Sequence, residues 1–185
     1  MKAELDSRLL GDVVFGEEEI SAAISRLAKE IRRDFGGRPM LMVGVLKGAA
    51  IFAADLMREL GDYPMAIDFI VVSSYGTGRA GAAGDVRLLK DLDTNPAGKD
   101  ILLVEDIVDE GLTLDYLLNN LRSREPRSVR AVALMDKPFH RAVDVHVDYV
   151  GLTAPDAFLV GYGLDYQEAF RNLPYICKLL CPPNR

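Results

Sequence analysis

Tryptophan is absent from this chain of 185 residues, and only two cysteines and two histidines occur in it. Cys177 and Cys181 lie close together beside Pro182 and Pro183, which is poor evidence for a disulfide framework. Neither His140 nor His146 forms a ligand-spaced pair with them, so no zinc set of Cys and His can be read. Long apolar runs are also lacking. The run MLMVGVL at residues 40–46 is far short of the roughly 20 residues that cross a bilayer, so no membrane partner is expected. Positive charge is in deficit, with 22 Lys and Arg against 28 Asp and Glu and a net charge of −6. That balance argues against nucleic acid as a partner, because phosphate contacts rely on clustered cations. Any anionic ligand must be held locally. Residues 1–11 carry Lys2, Glu4, Asp6 and Arg8 and lack the apolar centre of a secretory leader, so the cytoplasm is the expected address.

What is present is an ordinary globular mixture, 49% hydrophobic and 27% charged, with no internal repeat and no linker. One domain over residues 1–185 is expected. Residues 16–35 open on Glu17, Glu18 and Glu19, place Ile20, Ile24, Leu27 and Ile31 at helical spacing, and end near Arg32 and Arg33. This predicts an amphipathic helix with charges matched to its dipole. Gly36, Gly37 and Pro39 stop it; a buried strand over 40–46 and a helix over 49–60 follow. Further strands are expected over 65–73, 86–90, 101–104, 128–135, 147–152, 158–160 and 175–180, and a helix over 112–123. Alternating strands and helices predict an α/β fold, with a mainly parallel twisted sheet flanked by helices. Residues 75–84 hold four glycines and read as mobile.

In such a sheet, ligands bind beyond the carboxyl ends of the strands. The segment ILLVEDIVDEGLT, residues 101–113, leaves a buried strand and opens a helix. Glu105 and Asp106 are adjacent carboxylates suited to accepting hydrogen bonds from sugar hydroxyls. Asp109, Gly111 and Thr113 then lead into a helix whose free N–H groups suit a phosphate. Read alone, the same residues also describe a solvated acidic turn with Thr113 as a simple N-cap. The segment is neither a Walker A loop, which needs Lys before the hydroxyl residue, nor a GxGxxG fingerprint.

The whole string resembles the phosphoribosyl pyrophosphate motif of the type I phosphoribosyltransferases, in their purine-salvage branch. VGVLKG at 43–48 is similar to that family's pyrophosphate loop, SSYGTG at 73–78 to its flexible lid, and MDKP at 135–138 to its base-recognition segment. PDAFLVGYGLDYQEAFR at 155–171 matches its C-terminal signature nearly throughout. The resemblance implies the family fold, with a lid at about 74–85 and a small hood formed by the N-terminal segment and about 153–185. It implies transfer of a phosphoribosyl group from phosphoribosyl pyrophosphate to a 6-oxopurine, hypoxanthine or guanine, with Mg2+ as cofactor. A homodimer or homotetramer is implied as well.

The residue roles implied by the resemblance are specific. Glu105 and Asp106 hold the ribose hydroxyls, while Asp109, Glu110, Gly111, Leu112 and Thr113 wrap the 5′-phosphate. Asp109 is also the candidate catalytic base near purine N7. Lys47, Gly48 and Arg171 bind pyrophosphate, and the peptide between Leu46 and Lys47 is expected to be cis. Lys137 donates to the oxygen at purine C6, Phe158 stacks on the base, and Leu159 offers its carbonyl. Asp165 is the Mg2+-side carboxylate, with Glu105 and Asp106 acting directly or through water or ribose hydroxyls. Ser74 and Tyr75 belong to the lid. Glu110 departs from the pattern, since many relatives carry Thr or Ser there; a carboxylate facing the phosphate would repel it unless it turned outward. Two competing readings share parts of this pattern: a transferase favouring xanthine, and a regulator that keeps the fold but binds RNA. The acidic balance disfavours the second.

Overall fold

The computed structural model describes residues 7–74 and 86–180. The expected lid residue Tyr75, the glycine-rich stretch after it and Cys181 lie outside the described residues.

The helix expected over 16–35 is α1 (Glu17–Phe35), and its buried face is the predicted one: Ile20, Ile24, Leu27 and Ile31. Glu19 reaches back to the Gly16 N–H at 3.0 Å, and Gly36 ends the helix at φ +59. After it come β2 (Met40–Leu46), α2 (Ala50–Leu60), β3 (Met65–Ser74) and β4 (Val86–Lys90). The chain continues through β5 (Asp100–Val108), α3 (Leu112–Arg122), β6 (Ser128–Asp136) and β7 (Tyr149–Thr153). Six of these strands form one sheet in the order β4-β3-β2-β5-β6-β7, parallel except for the edge pair of β3 and β4.

Strand alternation divides the core. Met40, Met42, Leu102 and Val104 pack toward α1 and α2, whereas Leu41, Val43, Ile101 and Leu103 pack toward Leu114, Leu117, Leu118 and Leu121 of α3. Strands apolar on both faces therefore lie between two helical layers. From the central β2 the chain builds outward in one direction, and from its neighbour β5 in the other. The connections after these strands pass to opposite faces, which opens a crevice at their carboxyl ends.

A second sheet has three strands: β1 (Leu10–Phe15), β9 (Ile176–Leu179) and β8 (Leu159–Val160), all antiparallel. It joins the start of the chain to its end. Strand β1 was not expected from the sequence. Register irregularities on both sides of Val13 break its alternation and leave Val13 exposed while Val14 and Phe15 pack inward. Its pairing with β9 is a contact between distant parts of the chain that LGDVVF does not signal locally.

Candidate active site

Strand β5 is longer than the 101–104 run predicted because β6 continues beside it, pairing Glu105 with Ala133 and Val108 with Asp136. The two carboxylates consequently sit within a strand and not in an exposed turn. Glu105 is 6% exposed, and its Oε1 has no hydrogen-bond partner. Burial, reinforced by neighbouring Asp106, pushes its pKa well above the usual carboxylate range. Asp106 is pushed up to about 6, first by burial; amide hydrogen bonds, including that of Ile107 at 2.8 Å, and the Arg171 charge oppose the rise.

Across the crevice, residues 46–49 turn from β2 into α2, and the Leu46–Lys47 peptide is cis. Gly48 lies against Asp106 so closely that a Cβ there would stand 1.6 Å from Oδ2. Gly163, at φ +98, is packed on the other side, where a Cβ would meet the Gly48 carbonyl at 2.1 Å. Any side chain at 48 must displace the half-buried Asp106 carboxylate or the loop itself. Gly48→Ala should therefore destabilise the protein by about 1–3 kcal/mol, the usual range for overpacking. It should also weaken pyrophosphate binding; thermal melts and pyrophosphate inhibition would check both, and an unchanged inhibition constant would show that the loop accommodates the methyl.

The expected pyrophosphate-binding cations are already paired. Lys47 Nζ lies 3.0 Å from Glu168, and Arg171 lies 2.7 Å from Asp165 and 3.6 Å from Glu168. Asp165 also accepts from the Glu168 amide at 2.7 Å. Lys47 holds the Glu168 carboxyl below its ordinary range. Glu168 was not among the residues expected from the sequence, since nothing in its spacing marks it as the partner of a lysine 121 positions earlier.

At the far end of the crevice Lys137 is 4% exposed. Its ammonium donates to the Ala157 carbonyl at 2.8 Å and approaches Asp109 Oδ2 at 3.4 Å, leaving one N–H free. Asp109 Oδ1 is buried without a partner. Phe158, next to Ala157, is half-buried with its ring edge-on to Tyr166 at 6.1 Å, and Leu159 is buried where β8 pairs with Lys178. Gly111 at φ +86 is the N-cap of α3 and provides no side-chain cap; Thr113 lies inside the first turn. The first-turn N–H groups are thus left for a ligand. Glu110 is exposed to solvent.

These contacts make one continuous path. Phe158 adjoins Ala157, which holds Lys137; Lys137 meets Asp109; β5 carries Glu105 and Asp106 to Gly48; and Lys47 and Arg171 meet at Glu168. Ser74 ends β3, and the structure describes nothing of its side chain. Among the described residues no group of three or more His, Cys, Asp or Glu forms a ready metal cage.

The sequence profile of the phosphoribosyl transferase domain matches residues 16–167. The chain is 48% identical over 164 residues to the hypoxanthine-guanine phosphoribosyltransferase of Bacillus subtilis (strain 168), covering 89% of this chain and 90% of that protein. The crystal structure of a hypoxanthine phosphoribosyltransferase from Staphylococcus aureus superposes with a TM-score of 0.87 at 41% identity, covering 97% of this chain and 96% of the other. A Trypanosoma cruzi hypoxanthine phosphoribosyl transferase, whose C-terminal region was studied for its role in oligomeric state and enzymatic activity, gives 0.87 at 41%, covering 95% and 93%. With the fold, the loop strings and these relatives in agreement, the chain belongs to the phosphoribosyltransferase family, in its hypoxanthine-guanine branch.

Proposed function

We infer that this enzyme transfers the 5-phosphoribosyl group from phosphoribosyl pyrophosphate to N9 of hypoxanthine or guanine, giving IMP or GMP and pyrophosphate in purine salvage. The observation that carries the reading is the buried Lys137 set against Asp109, at one end of a crevice whose other end holds Lys47 and Arg171. A 6-oxopurine offers a carbonyl for the free Lys137 N–H and a ring nitrogen for Asp109. A pyrophosphate offers oxygens to Lys47 and Arg171 in place of Glu168 and Asp165. Between them, the unpartnered Glu105 oxygen and Asp106 accept from ribose hydroxyls, which supplies the hydrogen bond that burial otherwise denies Glu105.

Bond making and breaking require little covalent work from the chain. N9 forms a bond to C1′ as the C1′–oxygen bond to pyrophosphate breaks, and Asp109 accepts the proton that the base sheds. The carboxylates below the ribose favour the positive charge that builds on the ring. Asp165, Glu105 and Asp106 suit Mg2+, because they are hard oxygen ligands and one of them keeps a buried, unpartnered oxygen. Bound there, Mg2+ would neutralise the leaving pyrophosphate. A cytoplasmic homodimer or homotetramer completes the proposal, with 77%-exposed Phe139 among the apolar side chains available for contact between subunits.

The test is pyrophosphate release from phosphoribosyl pyrophosphate and Mg2+, with hypoxanthine, guanine, xanthine or adenine supplied separately. Release with hypoxanthine or guanine and little with adenine is expected. Strong release with xanthine alone would redirect the reading to a xanthine enzyme, and no base-dependent release from folded protein would overturn it. Lys137→Met should raise the KM for hypoxanthine about 10- to 100-fold, since a buried carbonyl would lose a charged hydrogen bond. Rejection of adenine should weaken with it; competition assays with both bases would check the pair, and unchanged selectivity would remove Lys137 from base recognition.

A further inference from the structure

We propose that Arg141 is a positioning residue for the 5′-phosphate. Together with the Ala142 amide, it holds successive carbonyls of the phosphate loop on one side, so that the N–H groups of Asp109, Glu110 and Gly111 face the other. The inference rests on the preceding reading, in which residues 109–113 receive that phosphate.

Three consecutive carbonyls are drawn to the segment that follows β6. The Val108 carbonyl accepts from the Lys137 amide at 2.9 Å and from Arg141 Nη1 at 3.1 Å. The Asp109 carbonyl accepts from the same Nη1 at 2.6 Å, and the Glu110 carbonyl from the Ala142 amide at 2.9 Å. Among the described residues the only cis peptide is Leu46–Lys47, so the peptides at 108–111 are trans. In a planar trans peptide the C=O and the following N–H point in opposite directions. Fixing these carbonyls therefore turns the N–H groups of Asp109, Glu110 and Gly111 away from residues 137–142. Among the described residues none of the three amides has an acceptor. A strand would alternate its amides; consecutive amides on one side make an anion-binding concavity.

Arg141 suits this task. Its other nitrogen Nη2 is ion-paired with Asp136, and the side chain is mostly buried at 19% exposure. A rigid planar fork can bridge two carbonyls and a carboxylate at once, as a lysine cannot. The guanidinium also polarises the Asp109–Glu110 peptide through its carbonyl, making the Glu110 N–H a stronger hydrogen-bond donor. Glu110 contributes through that amide while its carboxylate stays in solvent. Its acidic side chain is thereby compatible with a bound phosphate.

The test compares inhibition by IMP and by inosine, which lacks only the phosphate, on the full-length wild type, Arg141→Met and Arg141→Lys. Arg141→Met should weaken IMP about 10-fold or more, one lost charged hydrogen bond or its equivalent, and leave inosine within about 2-fold. Arg141→Lys should keep most of that loss while melting near the wild type, which guards against misfolding of the Met variant. Added guanidinium ion should restore part of IMP binding to Arg141→Met. Equal losses for IMP and inosine would overturn the inference in favour of a general structural brace, and so would full IMP affinity in a folded Arg141→Lys. A wild type that binds IMP no better than inosine would instead defeat the functional reading itself, and this inference with it.

Discussion

Replacing Asp109 with asparagine should lower turnover by about 10²- to 10⁴-fold, the range that a general base contributes, while the KM for phosphoribosyl pyrophosphate moves only a few-fold. Asparagine preserves shape and can still lie against Lys137, so the loss reports the carboxylate and not a collapsed loop. The present geometry favours that role because Asp109 Oδ1 is buried yet unpartnered, while Oδ2 is only 3.4 Å from the Lys137 ammonium. A carboxylate left without a partner on one oxygen costs stability unless a ligand completes it. Steady-state kinetics and single-turnover rates on folded variants would separate chemistry from binding. Near-normal turnover in Asp109→Asn and Asp109→Ala would take Asp109 out of the proton transfer.

Much of this architecture was legible because it is local. The period of Ile20, Ile24, Leu27 and Ile31 is a property of one helix, and MLMVGVL, a short apolar run between turn residues, reads as the buried strand that it forms. The loops were legible for a different reason: each keeps its own short string at a strand end, and strand ends converge in this topology. Residues defined by contacts across the chain were not legible. Glu168 partners Lys47 across 121 positions of sequence, and Arg141 matters through the carbonyls it reaches, which any side chain at 108 or 109 would present. The extension of β5 to Val108 belongs to this group too. EDIV reads as a polar interruption until β6 is seen to pair along it. That pairing is what turns two carboxylates from a solvated turn into a buried Glu105 beside a half-buried Asp106.

The pair leads to the last expected result, a reversal of stability order. In metal-free buffer at pH 8, Glu105→Gln should melt above the wild type by about 2–6 °C, corresponding to relief of a buried unsatisfied charge worth about 1–3 kcal/mol or less after the amide's own burial is counted. The sign follows from the shift. A carboxyl whose folded pKa lies above its unfolded value destabilises the fold once ionised, fully above the folded pKa and not at all below the unfolded one. Burial and the Asp106 charge shift Glu105 well upward, so the advantage of the variant should shrink as the pH is lowered below that raised folded value and vanish near the unfolded carboxyl range. Phosphoribosyl pyrophosphate and Mg2+ should reverse the order. Donor at 100 times its Kd adds about 2.7 kcal/mol to the wild type, whereas Glu105→Gln, having lost the hydroxyl-accepting charge, should bind it about 10- to 100-fold more weakly and gain less. A wild type that melts above the variant without ligand would mean the carboxylate is satisfied within the fold. A variant that keeps its lead with donor bound would mean Glu105 does not meet the ribose. The expected crossing ties both observations to one cause: the oxygens that burden the empty protein are those the substrate completes.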